Sequence, residues 1–301
     1  MATGAEGKEE ADCKRYFQVH HIQTYVNDSI DLLLRIKDQE PKVRPLDTLT
    51  EYFRSVLAGT HVAFRDYEFI SLTPYNRASF VSLFLDCFKH LKNFSLMLQE
   101  YHSLLQLTCP HFPMSLLEYV SCNFFADEAA GEEIPILFSK FMNAFQVVFY
   151  YQPFIGKVRV AYDAVLSVGC KQVHSGHVVV VPTSSSDPPT PRCKSAGTYS
   201  PRVDRKAFEE TSETGIEPAV FQSITSDIMA KMAQCGEVYP RESALLDVLD
   251  SRPLISFASF IRGLVNNDSI QLDLSTVIKK KSPGVQTLAK SPGIQIQNPN
   301  E

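Results

Sequence analysis

The sequence lacks the positioning elements of the common catalytic folds. It has no Gly-x-Gly-x-x-Gly turn, no phosphate loop ending in Gly-Lys-Ser/Thr and no Gly-x-Ser-x-Gly elbow. Nothing in it is patterned to cradle a nucleotide or to present a serine nucleophile. Seven cysteines, at 13, 87, 109, 122, 170, 193 and 235, form no Cys-x-x-Cys pair. An odd, scattered set favours reduced thiols in a cytosolic protein. The first dozen residues are charged and have no apolar signal-peptide core, and Gly4 rather than a glycine at position 2 gives no myristoylation start. No apolar run approaches ~20 residues. The expectation is a protein neither secreted nor membrane-spanning. Glycine is scarce, 13 against 18 prolines, and the prolines are densest in two late stretches that read as linker and tail.

What is present is material for a helical core. The 301 residues are 44% hydrophobic, enough for one large domain or two smaller ones. The strongest apolar signal runs from Phe138 to Tyr151. There Phe138, Phe141, Phe145, Val148 and Phe149 recur at three- and four-residue steps, while Lys140, Asn143 and Gln146 fall on other faces. This predicts a core helix of about four turns. Charge is uneven. Segment 182–206 carries five basic residues against two acidic ones and segment 275–301 carries four against one, so each is +3, and the rest holds −11 of the net −5. An acidic body with basic arms suits an acidic partner, although basic segments also serve solubility alone.

In chain order, residues 1–16 are expected to be without structure. From Tyr16 to about Ile36, Val19, Ile22, Val26, Ile30, Leu33 and Leu34 keep helical spacing. A second helix begins near Pro45, carries Leu46, Leu49, Tyr52, Phe53, Val56 and Leu57, and ends at Gly59-Thr60. This pair, at 18–58, resembles the dimerisation-docking hairpin of protein kinase A regulatory subunits. The resemblance implies pairing into a four-helix bundle through Ile22, Val26, Ile30, Leu33, Leu49 and Phe53. An ordinary αα-hairpin packed on its own domain fits the pattern equally.

Thr60–Leu72 alternates apolar and polar residues and reads as extended or irregular chain. Helices follow from Thr73-Pro74, at Glu100–Leu107 and at Met114–Phe125. A helix, an acidic loop and then Ile136–Phe141 resemble an EF-hand without its ion. With Ile136 at loop position eight, position one is Ala129, three is Gly131 and twelve is Lys140, so the oxygen ligands that calcium needs are missing. Pro253–Leu264 echoes Pro135–Phe145, with Val248 and Ser259 at positions one and twelve. Val173–Val181 reads as a small hairpin or edge strand.

The expected organisation is mostly α. A helical domain at 17–181 contains the hairpin and EF-like helices at 73–155. A Pro/Ser-rich linker covers 182–212, a second helical block 213–270 and a basic, disordered tail 271–301. Thr190, Ser200, Ser282 and Ser291 each precede proline in basic surroundings and are candidate phosphorylation sites. Each phosphate would add about −1.5 to −2 charges. His102, Cys109, His111 and Cys122 match no zinc spacing, and His20-His21 and the pair His174 and His177 are weaker still. No metal, no cofactor and no enzymatic activity is expected, and neither nucleic acid nor membrane is an expected partner.

Several strings resemble one family in order: Glu51-Tyr-Phe-Arg-Ser-Val-Leu-Ala-Gly-Thr-His61, Phe64-Arg65, Thr73-Pro-Tyr-Asn-Arg77, Glu100-Tyr-His-Ser-Leu-Leu-Gln-Leu-Thr-Cys-Pro110, Ala144-Phe-Gln146, Phe149-Tyr-Tyr151 and Val181-Pro-Thr-Ser-Ser-Ser186. The family is that of the centriolar satellite-associated tubulin polyglutamylase complex regulators, and the likeness spans about residues 16–186. It implies a non-catalytic regulator or scaffold of the complex that adds glutamate to tubulin tails. The implied location is cytoplasm and cytoskeleton, at centrosome and centriolar satellites, with complex subunits as partners and tubulin or microtubules as a further candidate. The alternative is a free-standing helical adaptor, calcium-independent and EF-like, unrelated to tubulin.

Overall fold

The Phe138–Tyr150 helix is built from the period that predicts it, and nearly every side chain on it is buried. In the computed structural model residues 3–125, 135–172, 215–249 and 253–279 are described, with backbone alone at 3–10 and 168–172. The fold among them is mostly α, with one two-stranded sheet. The helices are α1 (Thr3–Val19), α2 (Ile22–Gln39), α3 (Pro45–Ala58), α4 (Tyr67–Leu72), α5 (Pro74–Phe88), α6 (Leu98–Gln106), α7 (Met114–Phe124), α8 (Phe138–Tyr150), α9 (Gln152–Gln172), α10 (Pro218–Gln234), α11 (Glu242–Leu249), α12 (Phe257–Asn266) and α13 (Asp268–Lys279).

Local chemistry sets the boundaries. Pro45 opens α3 with the dihedral a first turn needs, and Gly59 closes it at φ 72°. Thr73 caps α5, its hydroxyl accepting from Asn76 N at 3.0 Å, and Ser256 caps α12 by accepting from Ser259 N. Strands β1 (Ser95–Leu96) and β2 (Ile136–Leu137) pair antiparallel, with Leu96 opposite Ile136. Ile216 and Ile255 form a second antiparallel bridge. Ile136 and Ile255, at position eight of the two segments whose sequence resembles an EF-hand, are thus the bridging residues. Lys140, exposed on α8, and Val248 and Ser259 offer no carboxylate there, while Ala129 and Gly131 lie outside the described residues.

The core is a continuous aromatic stack around α8. Phe145 lies 5.5 Å, centroid to centroid, from both Phe141 and Phe149, Tyr101 stacks on Phe141 at 3.9 Å, and Phe80, Phe84 and Phe112 close the sides. The helices after residue 215 share this core. Helix α10 packs on α9, α12 on α7 and α8, and α13 on α5 and α8. Gln146 donates to Gln271 at 2.6 Å, Arg262 donates to Asn123 O at 2.7 Å, and Tyr162 sits between Phe221 and Phe257.

The structure revises several expectations. Residues 1–16 contain most of α1, because Glu, Lys and Ala favour helix without any apolar period. The helix read from Tyr16 to Ile36 is broken at His20-His21, where His21 takes φ 51°. Thr60–Leu72 is a turn followed by α4, and the last helix runs to Lys279, past the expected start of the tail at 271. Val173–Val181, the 182–212 linker and most of the tail lie outside the described residues.

Because α8 is the common floor of both halves, truncating its centre should loosen the whole molecule. Phe145→Ala is expected to cost about 3–5 kcal/mol, read as a lowered denaturant midpoint with one cooperative transition.

Candidate functional site

Helices α2 and α3 form an antiparallel pair with two unlike faces. The inner face is amphipathic. Tyr25 OH donates to Asn76 Oδ1 and pairs with Thr73 Oγ1, both at 2.9 Å. Tyr52 OH donates to Asp28 Oδ2 at 2.7 Å, and Arg65 grips both Asp28 oxygens, with Nη1 at 3.0 Å from Oδ2 and Nη2 on Oδ1. Tyr75 OH donates to Val56 O at 2.6 Å. His61 Nε2 donates to Asn76 Oδ1 at 2.9 Å, while Asn76 Nδ2 donates to Phe69 O. Rings of Tyr25, His61, Tyr75 and Phe69 meet edge-on or tilted along the same seam.

Burial tunes these groups as donors. It pushes the Tyr25 phenol up to about 12, against a smaller opposing effect of its bond to Thr73, and it raises Tyr52 further with help from the Asp28 carboxylate. Both stay protonated at neutral pH. For Asp28, burial alone would raise the carboxyl, but the hydrogen bonds from Arg65 and Tyr52 and the guanidinium charge outweigh it and hold it below the usual carboxylate range.

The outer face is apolar and open. Ile30, Leu34, Leu46, Phe53 and Leu57 are between 40% and 83% exposed. Two of the six docking candidates, Ile30 and Phe53, lie on this face. Ile22, Val26, Leu33 and Leu49 are half-buried. Among the described residues nothing before Val62 joins the hydrophobic core cluster. The hairpin is therefore attached by its polar seam, and its apolar stripe is left facing water.

Arg77 closes the seam from below. It is fully buried, donating through Nε to Tyr150 O at 3.0 Å, through Nη1 to Ser71 O at 2.7 Å and through Nη2 to Glu237 Oε2 at 2.9 Å. Sequence reading flagged the strings that hold Tyr52, His61, Arg65, Thr73, Asn76 and Arg77, but not that they converge. It missed Tyr25 and Asp28, whose signal was a phenol and a carboxylate set among apolar helix positions.

One comparison with known proteins falls on this site. Residues 8–59 match the family described as CSTPP1 N-terminal domain. The expected resemblance is borne out. The chain is similar to a protein from Danio rerio named centriolar satellite-associated tubulin polyglutamylase complex regulator 1, 28% identical over 267 residues, 88% of this chain and 74% of that protein. Proteins of the same name from Bos taurus and Homo sapiens are 40% and 38% identical over 173 residues, 57% of this chain. The chain spans about half the length of these mammalian relatives, 51% and 50%. No solved structure matches it significantly.

The remaining candidates sit apart from the hairpin. His102 Nε2 bonds to Phe112 O at 2.7 Å, Cys109 is buried and Cys122 half-buried. Among the described residues no group of three or more His, Cys, Asp or Glu is arranged to hold a metal, and no helix is long and apolar enough to cross a membrane. Thr190, Ser200, Ser282 and Ser291 lie outside the described residues.

The Asp28 clasp gives the seam a pH signature. Its native carboxyl titrates below the unfolded value of about 3.9, so its stabilisation is complete above that value and is lost as pH falls through the lower native one. Asp28→Asn should cost about 2 kcal/mol at pH 7, within the range for hydrogen bonds to charged groups, and should flatten the fall in melting temperature below about pH 4.

Proposed function

We propose that this chain is a non-catalytic regulator of the tubulin polyglutamylase complex, acting as a scaffold at centriolar satellites and the centrosome, within the cytoplasmic microtubule cytoskeleton. The observation that carries this reading is the exposed Ile30, Leu34, Leu46, Phe53 and Leu57 face, presented on the segment that matches the CSTPP1 N-terminal domain. An apolar stripe on a two-helix unit fits an amphipathic helix or a second hairpin of another subunit. The fit is supported by the relatives' name, which makes them regulators of that complex. Ligating glutamate needs ATP, and the sequence carries no nucleotide-binding motif; the chain acts by holding or placing the enzyme.

The basic segments 182–206 and 275–301 have the charge to touch acidic tubulin tails, an attraction that weakens with salt. Phosphorylation of Thr190, Ser200, Ser282 or Ser291 would erase much of each segment's +3. The hairpin contact, being apolar, should resist salt.

Ile30→Asp with Phe53→Asp tests the docking face in the full chain. Both positions are exposed, so helicity and melting temperature should hold. Copurification of polyglutamylase subunits should fall at least tenfold at low and moderate salt alike, in keeping with the loss of two buried anchors. Unchanged copurification with an intact fold would place docking elsewhere.

A further inference from the structure

The turn that follows α10 reaches across to the base of the hairpin. Cys235 N and Glu237 N both donate to Met232 O, at 3.0 and 3.3 Å, which pins the turn to a helix whose Phe221 and Met232 are fully buried. Gly236 takes φ 70°, a left-handed conformation that other residues adopt with strain. A Cβ there would overlap the Val19 carbonyl oxygen and lie 2.6 Å from Val19 Cα. Backbone thus meets backbone, with no flexible side chain to give way.

Val19 is the last residue of α1, immediately before the His20-His21 break that starts the hairpin. One residue beyond Gly236, Glu237 accepts from Arg77 Nη2. Arg77 follows Asn76, the residue that holds Tyr25 and His61 in the seam. Two successive residues of the turn after α10 therefore meet Val19 at the hairpin's joint and Arg77, the chain neighbour of Asn76 in the seam. The joint is not packed solid. A cleft of about 270 Å³ lies between Val19, His21, Tyr25, Leu57, Tyr75 and Gly236, so the hairpin has room to shift if the turn moves.

We propose that the 235–237 turn is a latch that sets the pose of the N-terminal hairpin and couples the C-terminal helices to its outer apolar face. The mechanical part stands on the contacts alone. Its consequence, that whatever shifts α10 also shifts partner binding, rests on the docking function proposed above.

Hydrogen exchange on the full chain, without partner, tests the latch. Three variants press on it differently. Gly236→Ala adds the overlapping Cβ and left-handed strain. Gly236→Asn tolerates the left-handed backbone but keeps the Cβ. Glu237→Gln keeps the side-chain size and removes the charge facing Arg77. In both Gly236 variants, amides of α2 and α3 should exchange at least fivefold faster while those of α8 are unchanged; in Glu237→Gln, which also leaves the Arg77 charge beside Tyr150 O without its counter-ion, α2 and α3 should accelerate at least fivefold more than α8. Asp273→Asn, which breaks the Arg241–Asp273 ion pair on the same helical block, should leave hairpin exchange at the wild-type rate.

Unaltered hairpin exchange in Gly236→Asn and Glu237→Gln, or equal acceleration in α8, would overturn the latch. Copurification of the polyglutamylase complex with the same variants separates the two proposals. A loosened hairpin with reduced capture supports both. A loosened hairpin with unchanged capture keeps the mechanical latch and overturns its coupling to partner binding, while loss of capture in Ile30→Asp with Phe53→Asp decides the docking face separately.

Discussion

A guanidinium taken out of water must find acceptors or cost several kcal/mol, and this constraint organises the centre of the molecule. Arg77 meets it with the Ser71 and Tyr150 carbonyls and the Glu237 carboxylate. Those three partners come from the α4 turn, the end of the core helix and the turn after α10. One side chain thereby fixes three segments that are remote in sequence. Asn76 beside it extends the same bonding outward to Tyr25 and His61. The hairpin is then held by directional bonds to a rigid base, and its outer stripe stays uncommitted.

That division of labour is physically sensible for an interaction module. Had α2 and α3 joined the aromatic core, their apolar residues would be consumed in folding. A polar seam fixes orientation without using the stripe, and its strength depends on geometry and, at Asp28, on charge. The Leu57 end of the stripe borders the cleft at the hairpin's joint. The family match over 8–59 falls on the same segment that the geometry leaves open.

The sequence was most legible where side-chain period and local chemistry agree. Phe141, Phe145 and Phe149 predicted a buried helix from spacing alone, and Pro45 and Gly59 marked the ends of α3 within a residue. Helix α1 was not legible because its residues favour helix individually but show no apolar period. Helix α4 was hidden because six residues are too few for a 3.6-residue period to stand out from alternation. The seam was the hardest to see. Its bonds link Asp28 to Arg65, Tyr25 to Asn76 and Arg77 to Glu237, and a pairing across 37 to 160 positions leaves no local trace. The same holds for the return of α12 and α13 to the core, which rests on contacts such as Gln146 with Gln271. The outer face could be read only in part, since periodicity selects apolar positions without saying which of two faces the body covers.

Side-chain oxidative footprinting of the full chain, alone and mixed with the tubulin polyglutamylase complex, tests the proposed docking face most directly. Phe53, Leu57, Ile30 and Leu34 should lose most of their reactivity on binding, while Phe64 and Phe94, exposed on the body, keep theirs. Protection of Phe64 or Phe94 with the hairpin stripe still reactive would contradict the account and move the docking surface onto the body.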